Sequence, residues 1–79
     1  MRPNNSSQLV HDFARNLKTL REAQGLSQEA LAGKAGLDRT YVSSCERGER
    51  NVTLVTLERL SAALGVLPHS LLDGEVDGE

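Results

Sequence analysis

Between Gln28 and Cys45 the chain runs QEALAGKAGLDRTYVSSC, and the spacing within this stretch leaves little choice of fold. Counted from Gln28, an apolar residue stands fourth (Leu31), alanines fifth and eighth (Ala32, Ala35) and a glycine ninth (Gly36). Apolar residues follow at the tenth, fifteenth and eighteenth places (Leu37, Val42, Cys45). Two short helices joined by so brief a turn need a residue that accepts positive φ at no steric cost, and Gly36 is that residue. For the helices to cross steeply, the first must be very small where the second approaches, which is the part of Ala32. Leu31, Leu37, Val42 and Cys45 then form the apolar stripe that faces a core.

The flanking sequence repeats this grammar of cap, stripe and glycine stop. Val10, Phe13, Ala14, Leu17 and Leu20 trace one face of a first helix, with Ser6 or Ser7 to cap it and Gly25 to end it. Ser27 caps a second helix, with Glu29 in its first turn, where a negative charge complements the helix dipole. Asp38 caps a third over RTYVSSCER, stopped by Gly48, and Thr53 a fourth over LVTLERLSAAL, stopped by Gly65. Pro68 suits the first turn of a short fifth helix through Leu72. With no strand-like alternation, the expected fold is all-α, a compact five-helix bundle. The expected organisation is a flexible N-terminus at 1–8, a folded domain at 9–72 and an acidic, disordered tail at 73–79.

The charge sum misleads unless it is divided along the chain. The total is -2, yet residues 1–72 hold nine Lys and Arg against seven Asp and Glu, while DGEVDGE at the end carries four acids. The folded part is therefore mildly basic, which leaves nucleic acid open as a partner. Catalysis and cofactors find little support. Cys45 is the only cysteine and falls on the buried stripe, and His11 and His69 stand at neither metal-ligand nor catalytic spacing. No apolar run approaches the roughly 20 residues that cross a bilayer, and the opening MRPNNSSQLV has no apolar signal core, so a cytoplasmic protein with no membrane partner is expected.

On a wheel of about 100° per residue, the third helix puts Val42, Cys45 and Glu46 on one side and Thr40, Ser44 and Arg47 on the other, with Tyr41 and Ser43 between. A helix enters the DNA major groove only if its leading side is slim and its side chains match base-edge donors and acceptors. Thr40, Ser43 and Ser44 meet the first demand and Arg39 and Arg47 the second. Arg39 at the leading end is placed to contact guanine bidentately, unless an ion pair with Asp38 engages it. Arg47, Arg50, Asn51 and Thr53 run on into the capped start of the fourth helix, where they suit phosphate positioning. The wheel alone fits a merely solvated face equally well; the two-helix spacing favours DNA.

The stretch NLKTLREAQGLSQEALAGKAGLDRTYVSSCERGERNVTLVTLERLSAALGV resembles the lambda-repressor/Cro-like (XRE) helix-turn-helix domain, over about residues 9–72. Within it, LDRTYVSxxERGERNVTL is most similar to the controller proteins of restriction-modification systems, small dimers that regulate their own operon. The resemblance implies that Gln28 contacts the phosphate backbone, that Arg39, Thr40 and Ser44 face base edges, and that Tyr41, Ser43, Arg50 and Asn51 lie at or near the DNA. It also implies a structural ion pair between Arg21 and Glu46. Ser44 and Cys45 depart from the Gly-Ile common in controller proteins.

The expected function is therefore a bacterial, sequence-specific transcriptional regulator, a homodimer on a palindromic double-stranded operator, nucleoid-associated when bound. RNA polymerase is a further partner that exposed acids such as Glu29, Glu49 and Glu58 could meet. VLPHSLL is more apolar than one short terminal helix can bury alone, which suggests a dimer interface at Val66, Leu67, His69 and Leu72. An antitoxin-like or other protein-interaction module, or a phage-type repressor, would use the same fold.

Overall fold

The computed structural model describes residues 7–74, and within them four α-helices are followed by one short 3₁₀ turn. Helix α1 spans Gln8–Ala23, α2 Gln28–Ala35, α3 Arg39–Glu46 and α4 Leu54–Leu64. No strand occurs among the described residues. Among the described residues the fold is all-helical, with four α-helices rather than the expected five. Residues 68–71 wind as a 3₁₀ turn, Pro68–Leu71, in which Ser70 N donates to Leu67 O and Leu72 N to His69 O, three residues back. Asn16 Nδ2 takes the Leu71 and Asp73 carbonyl oxygens, which a longer helix would use in its own ladder, so the segment stops as a short 3₁₀ turn.

Local chemistry sets the helix boundaries. The hydroxyls of Ser7, Ser27 and Thr53 accept from the backbone N–H of Val10, Ala30 and Thr56 at 3.2, 2.9 and 3.1 Å, each meeting one of the donors that a helix start leaves unpaired. Asp38 departs from this pattern. It occupies the N-cap position of α3 with extended backbone, but its carboxylate accepts from the Thr40 hydroxyl at 2.7 Å instead of from a backbone N–H. Gly36 ends α2 with φ +71° and lets Leu37 N reach back to Ala32 O at 2.9 Å. A Cβ there would meet nothing within 4 Å, so the glycine answers a demand of backbone angle and not of space.

The core lies where the apolar stripes of the helices converge. Phe13 and Leu17 from α1, Leu31, Ala32 and Ala35 from α2, Val42 and Cys45 from α3, Leu57, Leu60 and Leu64 from α4, and Leu71 from the 3₁₀ turn are all buried. Ala32 presents only a methyl group between α2 and the rest of this cluster, which lets α2 and α3 pack closely across the Gly36 turn. The 3₁₀ turn is tied to α1 by side-chain amides as well as by Leu71. Asn16 Nδ2 donates to Leu71 O at 3.1 Å and to Asp73 O at 2.8 Å, and Arg15 Nη2 adds a bond to Asp73 O at 3.3 Å. Asp73, placed by sequence at the head of the tail, is therefore held against α1. Residues 1–6 and 75–79, which carry most of the expected flexible ends, lie outside the described residues.

Candidate nucleic-acid interface

The candidate interface comprises the first turn of α3 and the loop that follows the helix. Arg39 and Thr40 begin α3 and are exposed. Thr40 is oriented by its bond to Asp38, whereas the Arg39 guanidinium makes no hydrogen bond or ion pair among the described residues. The Asp38–Arg39 pairing considered from the sequence is not formed. A slim, oriented hydroxyl beside an unengaged guanidinium at the leading end of a helix suits the readout of base edges.

Behind this tip the basic groups are engaged within the protein. Arg47 donates from Nε and Nη2 to the two carboxylate oxygens of Glu49, at 3.1 Å each, and from Nη1 to the Ser43 hydroxyl. Both partners are half or more exposed, so solvent and salt screen the pair and phosphate can compete for Arg47. The pairing nonetheless raises the Arg47 pKa and lowers that of Glu49, through their mutual hydrogen bonds. Asn51 is exposed in the loop and Tyr41 half-buried on α3. The Arg50 guanidinium carbon lies 5.0 Å from the centroid of the Tyr41 ring, within cation–π range.

Ser44 is not on the outer face. Only 5% of it is exposed; its hydroxyl donates to Tyr41 O at 2.8 Å and accepts from Arg50 Nε at 2.9 Å. An isolated wheel places it opposite Val42, but the chain turns at Gly48, where φ is +77°, and folds back, Glu49 N reaching Ser44 O at 3.0 Å. That return covers the side of α3 on which Ser44 stands, so the residue does not present its hydroxyl to a base edge.

Gln28, assigned by resemblance to the phosphate backbone, donates from Nε2 to Glu46 Oε1 at 3.0 Å. The same carboxylate receives Arg21 Nε at 2.6 Å and Nη2 at 3.0 Å, and Arg21 Nη1 donates to Leu26 O at 2.7 Å. The Glu46 side chain is 4% exposed and that of Arg21 10%. Hydrogen bonding to Glu46 raises the Arg21 pKa, against the opposing effect of burial. One buried carboxylate thus ties α1, the start of α2 and the end of α3 into a fixed geometry. Cys45, fully buried next to it, has its thiol pushed up to about 11 by burial, which keeps it in the unreactive thiol form.

A second surface lies at the start of α4. Leu54 is 82% exposed, Val55 60% and Leu67 65%, and Leu54 and Val55 line one shallow hollow with Glu58 and Pro68. His69 is exposed too. Val66 and Leu72, expected to meet a partner, are half-buried and pack against the core of their own subunit. The sequence reading missed Leu54 and Val55. Val55 carried a signal, since it stands off the Leu57–Leu60–Leu64 stripe and so cannot join the core.

Known proteins share this fold. The helix-turn-helix family (HTH_3) matches residues 17–71. Control protein C.MunI of Mycoplasma sp is 56% identical over 55 residues, covering 68% of this chain and 74% of its own. The crystal structure of the restriction-modification controller protein C.AhdI from Aeromonas hydrophila superposes with a TM-score of 0.76 at 50% identity, covering 78% of this chain and 94% of that one. The C.Esp1396I tetramer, solved with its natural 35-base-pair operator, superposes at 0.77 with 38% identity, covering 82% of this chain and 86% of that one.

Proposed function

This chain belongs to the helix-turn-helix family, in its controller-protein branch, and from that premise we propose that it acts as a homodimer whose two α3 helices read the halves of a palindromic operator. It is a DNA-binding transcription regulator, and its work is binding rather than catalysis. The observation that carries the reading is the leading end of α3, where Arg39 and Thr40 are exposed and the guanidinium has no intramolecular partner among the described residues. Residues 9–72 form the DNA-binding unit. Arg39 and Thr40 approach base edges, Tyr41, Ser43, Asn51 and Arg50 lie along the DNA, and Arg47 reaches phosphate by exchanging Glu49 for it.

Gln28 contributes differently from a free phosphate ligand. With its amide N–H on Glu46, it offers DNA the other amide hydrogen and the backbone N–H groups at the start of α2. The dimer contact is Leu54, Val55 and Leu67, an apolar patch on the α4 side, with exposed His69 at its margin. One α3 covers only a few base pairs, and a twofold mate places a second α3 about 34 Å away, one helical turn along the duplex. Such a regulator works in the bacterial cytoplasm, on the nucleoid; no described helix is long and apolar enough to cross a membrane.

The first test is selection from a random duplex pool at moderate salt, followed by sequencing of the enriched molecules. A recurring palindrome with half-sites about one helical turn apart is expected; a folded protein that enriches nothing would remove the reading. On the selected duplex, Arg39→Ala is expected to weaken binding by about 1–3 kcal/mol and to relax discrimination at one base position in each half-site. Titrations over duplexes permuted one base pair at a time measure both effects, and unchanged affinity would take Arg39 out of the readout.

A further inference from the structure

Ser44 has a buried hydroxyl with both of its hydrogen-bonding functions in use, yet it sits too deep to touch DNA. A serine hydroxyl has one hydrogen, and here that hydrogen goes to Tyr41 O, one helical turn back, at 2.8 Å. The donation fixes the rotor, so the oxygen lone pairs face away from the Tyr41 carbonyl and toward the loop. Arg50 Nε fills that position at 2.9 Å. The guanidinium carbon meanwhile stands 5.0 Å from the centroid of the Tyr41 ring. Arg50 is thus held twice, by its Nε and by its position at the aromatic ring. Its two terminal nitrogens make no hydrogen bond among the described residues.

We infer that Ser44 is a positioning residue for DNA recognition: its buried hydroxyl, with the Tyr41 ring, preorganises Arg50 so that both terminal nitrogens are presented to the nucleic acid. The inference rests on the reading of Arg50 as a DNA contact. An arginine on a surface loop ordinarily loses rotamer freedom when it meets its target, and a guanidinium already fixed in the free protein loses less. Ser44 therefore adds to operator affinity without making a DNA contact of its own. Neither Gly nor Ala at this place supplies an acceptor, so a chain with either residue leaves Arg50 to Tyr41 alone.

The test is a double-mutant cycle on the tightest duplex recovered from the random pool. Ser44→Ala keeps the volume of the site to within one atom and leaves the helical backbone bonds of α3 in place, and a thermal melt confirms that the variant is folded. Its operator affinity is expected to fall about threefold to tenfold, the range that one hydrogen bond contributes. In an Arg50→Ala background the same substitution is expected to change nothing, because there is no guanidinium left to position. An equal loss in both backgrounds would overturn the inference and leave Ser44 a purely structural residue.

The free protein supplies an independent readout. The Arg50 Nε–H proton should exchange slowly with water in the native protein and rapidly in Ser44→Ala. Equal exchange would overturn the positioning role while Arg50→Ala still reports whether Arg50 meets DNA. Arg50→Ala should itself weaken binding and reduce the slope of log K against log salt by about one. If it does neither, the reading of Arg50 falls and the role of Ser44 falls with it.

Discussion

Glu46→Ala is expected to destabilise the fold by about 3–5 kcal/mol, the range seen when one partner of a buried ion pair is removed. The lost carboxylate is 4% exposed and receives three N–H donors, two from Arg21 and one from Gln28. After truncation the Arg21 guanidinium remains in a largely buried position with Leu26 O as its close partner and Glu22, itself exposed, 3.9 Å away. Desolvation that the pair had offset is then uncompensated. At about 0.05–0.15 kcal/mol per residue a domain of 79 residues has only some 4–12 kcal/mol to lose, so the substitution should remove from about a quarter of that margin to all of it.

The same reasoning gives an internal control. Replacing both partners by apolar residues of similar volume, as in Arg21→Met with Glu46→Leu, should recover most of the stability, because no charge is left stranded. Denaturant midpoints of the single and double variants measure the contrast. A single variant within about 1 kcal/mol of the parent, the range of surface pairs, would show that the pair is solvated and that the geometry of α1, α2 and α3 is set by apolar packing alone. Because Gln28 shares the carboxylate, a destabilised Glu46 variant should also lose operator binding before it loses its helices.

Most of this architecture is legible in the sequence because it follows from local chemistry. Ser27 and Thr53 cap, Gly36 and Gly65 reverse the backbone with φ +71°, and the stripe Leu31–Leu37–Val42–Cys45 points inward because helix periodicity leaves it no other place. What periodicity does not contain is the path of the chain after a helix ends. A helical wheel puts Ser44 on the outer side of α3, which is correct for an isolated cylinder, but the loop beyond Gly48 returns over it and Arg50 binds its hydroxyl. Asp38 has the right residue type for a cap, yet Thr40, two places on, competes for its carboxylate. The fifth helix is a 3₁₀ turn for a related reason: an apolar run after a proline announces a buried turn, whereas its winding depends on Asn16, 55 residues away in the chain, which takes the Leu71 carbonyl oxygen.

The exposed apolar patch at Leu54, Val55 and Leu67, proposed above as the dimer contact, yields the second large effect, in the Leu67→Asp variant. Leu67 is 65% exposed and occupies the N-cap of the 3₁₀ turn with extended backbone and no side-chain cap bond. Aspartate is well suited to an N-cap, and little core contact is lost with a side chain so exposed, so the fold of a single subunit should be as stable as before. In a dimer closed over Leu54, Val55 and Leu67, however, the new carboxylate is buried in an apolar patch without a cation, twice over by symmetry. The cost of stranded charges, several kcal/mol, should drive the protein to monomer in sedimentation at concentrations where the parent is dimeric. Operator affinity should fall at least about 100-fold, because the second half-site no longer benefits from being tethered to the first. Binding to a duplex carrying one half-site should be unchanged, since Arg39 and Thr40 are intact. Leu67→Ala, which removes area but adds no charge, should lie between the two. If Leu67→Asp remains a dimer with parental operator affinity, the subunits meet elsewhere and the exposed apolar patch on the α4 side is not their contact.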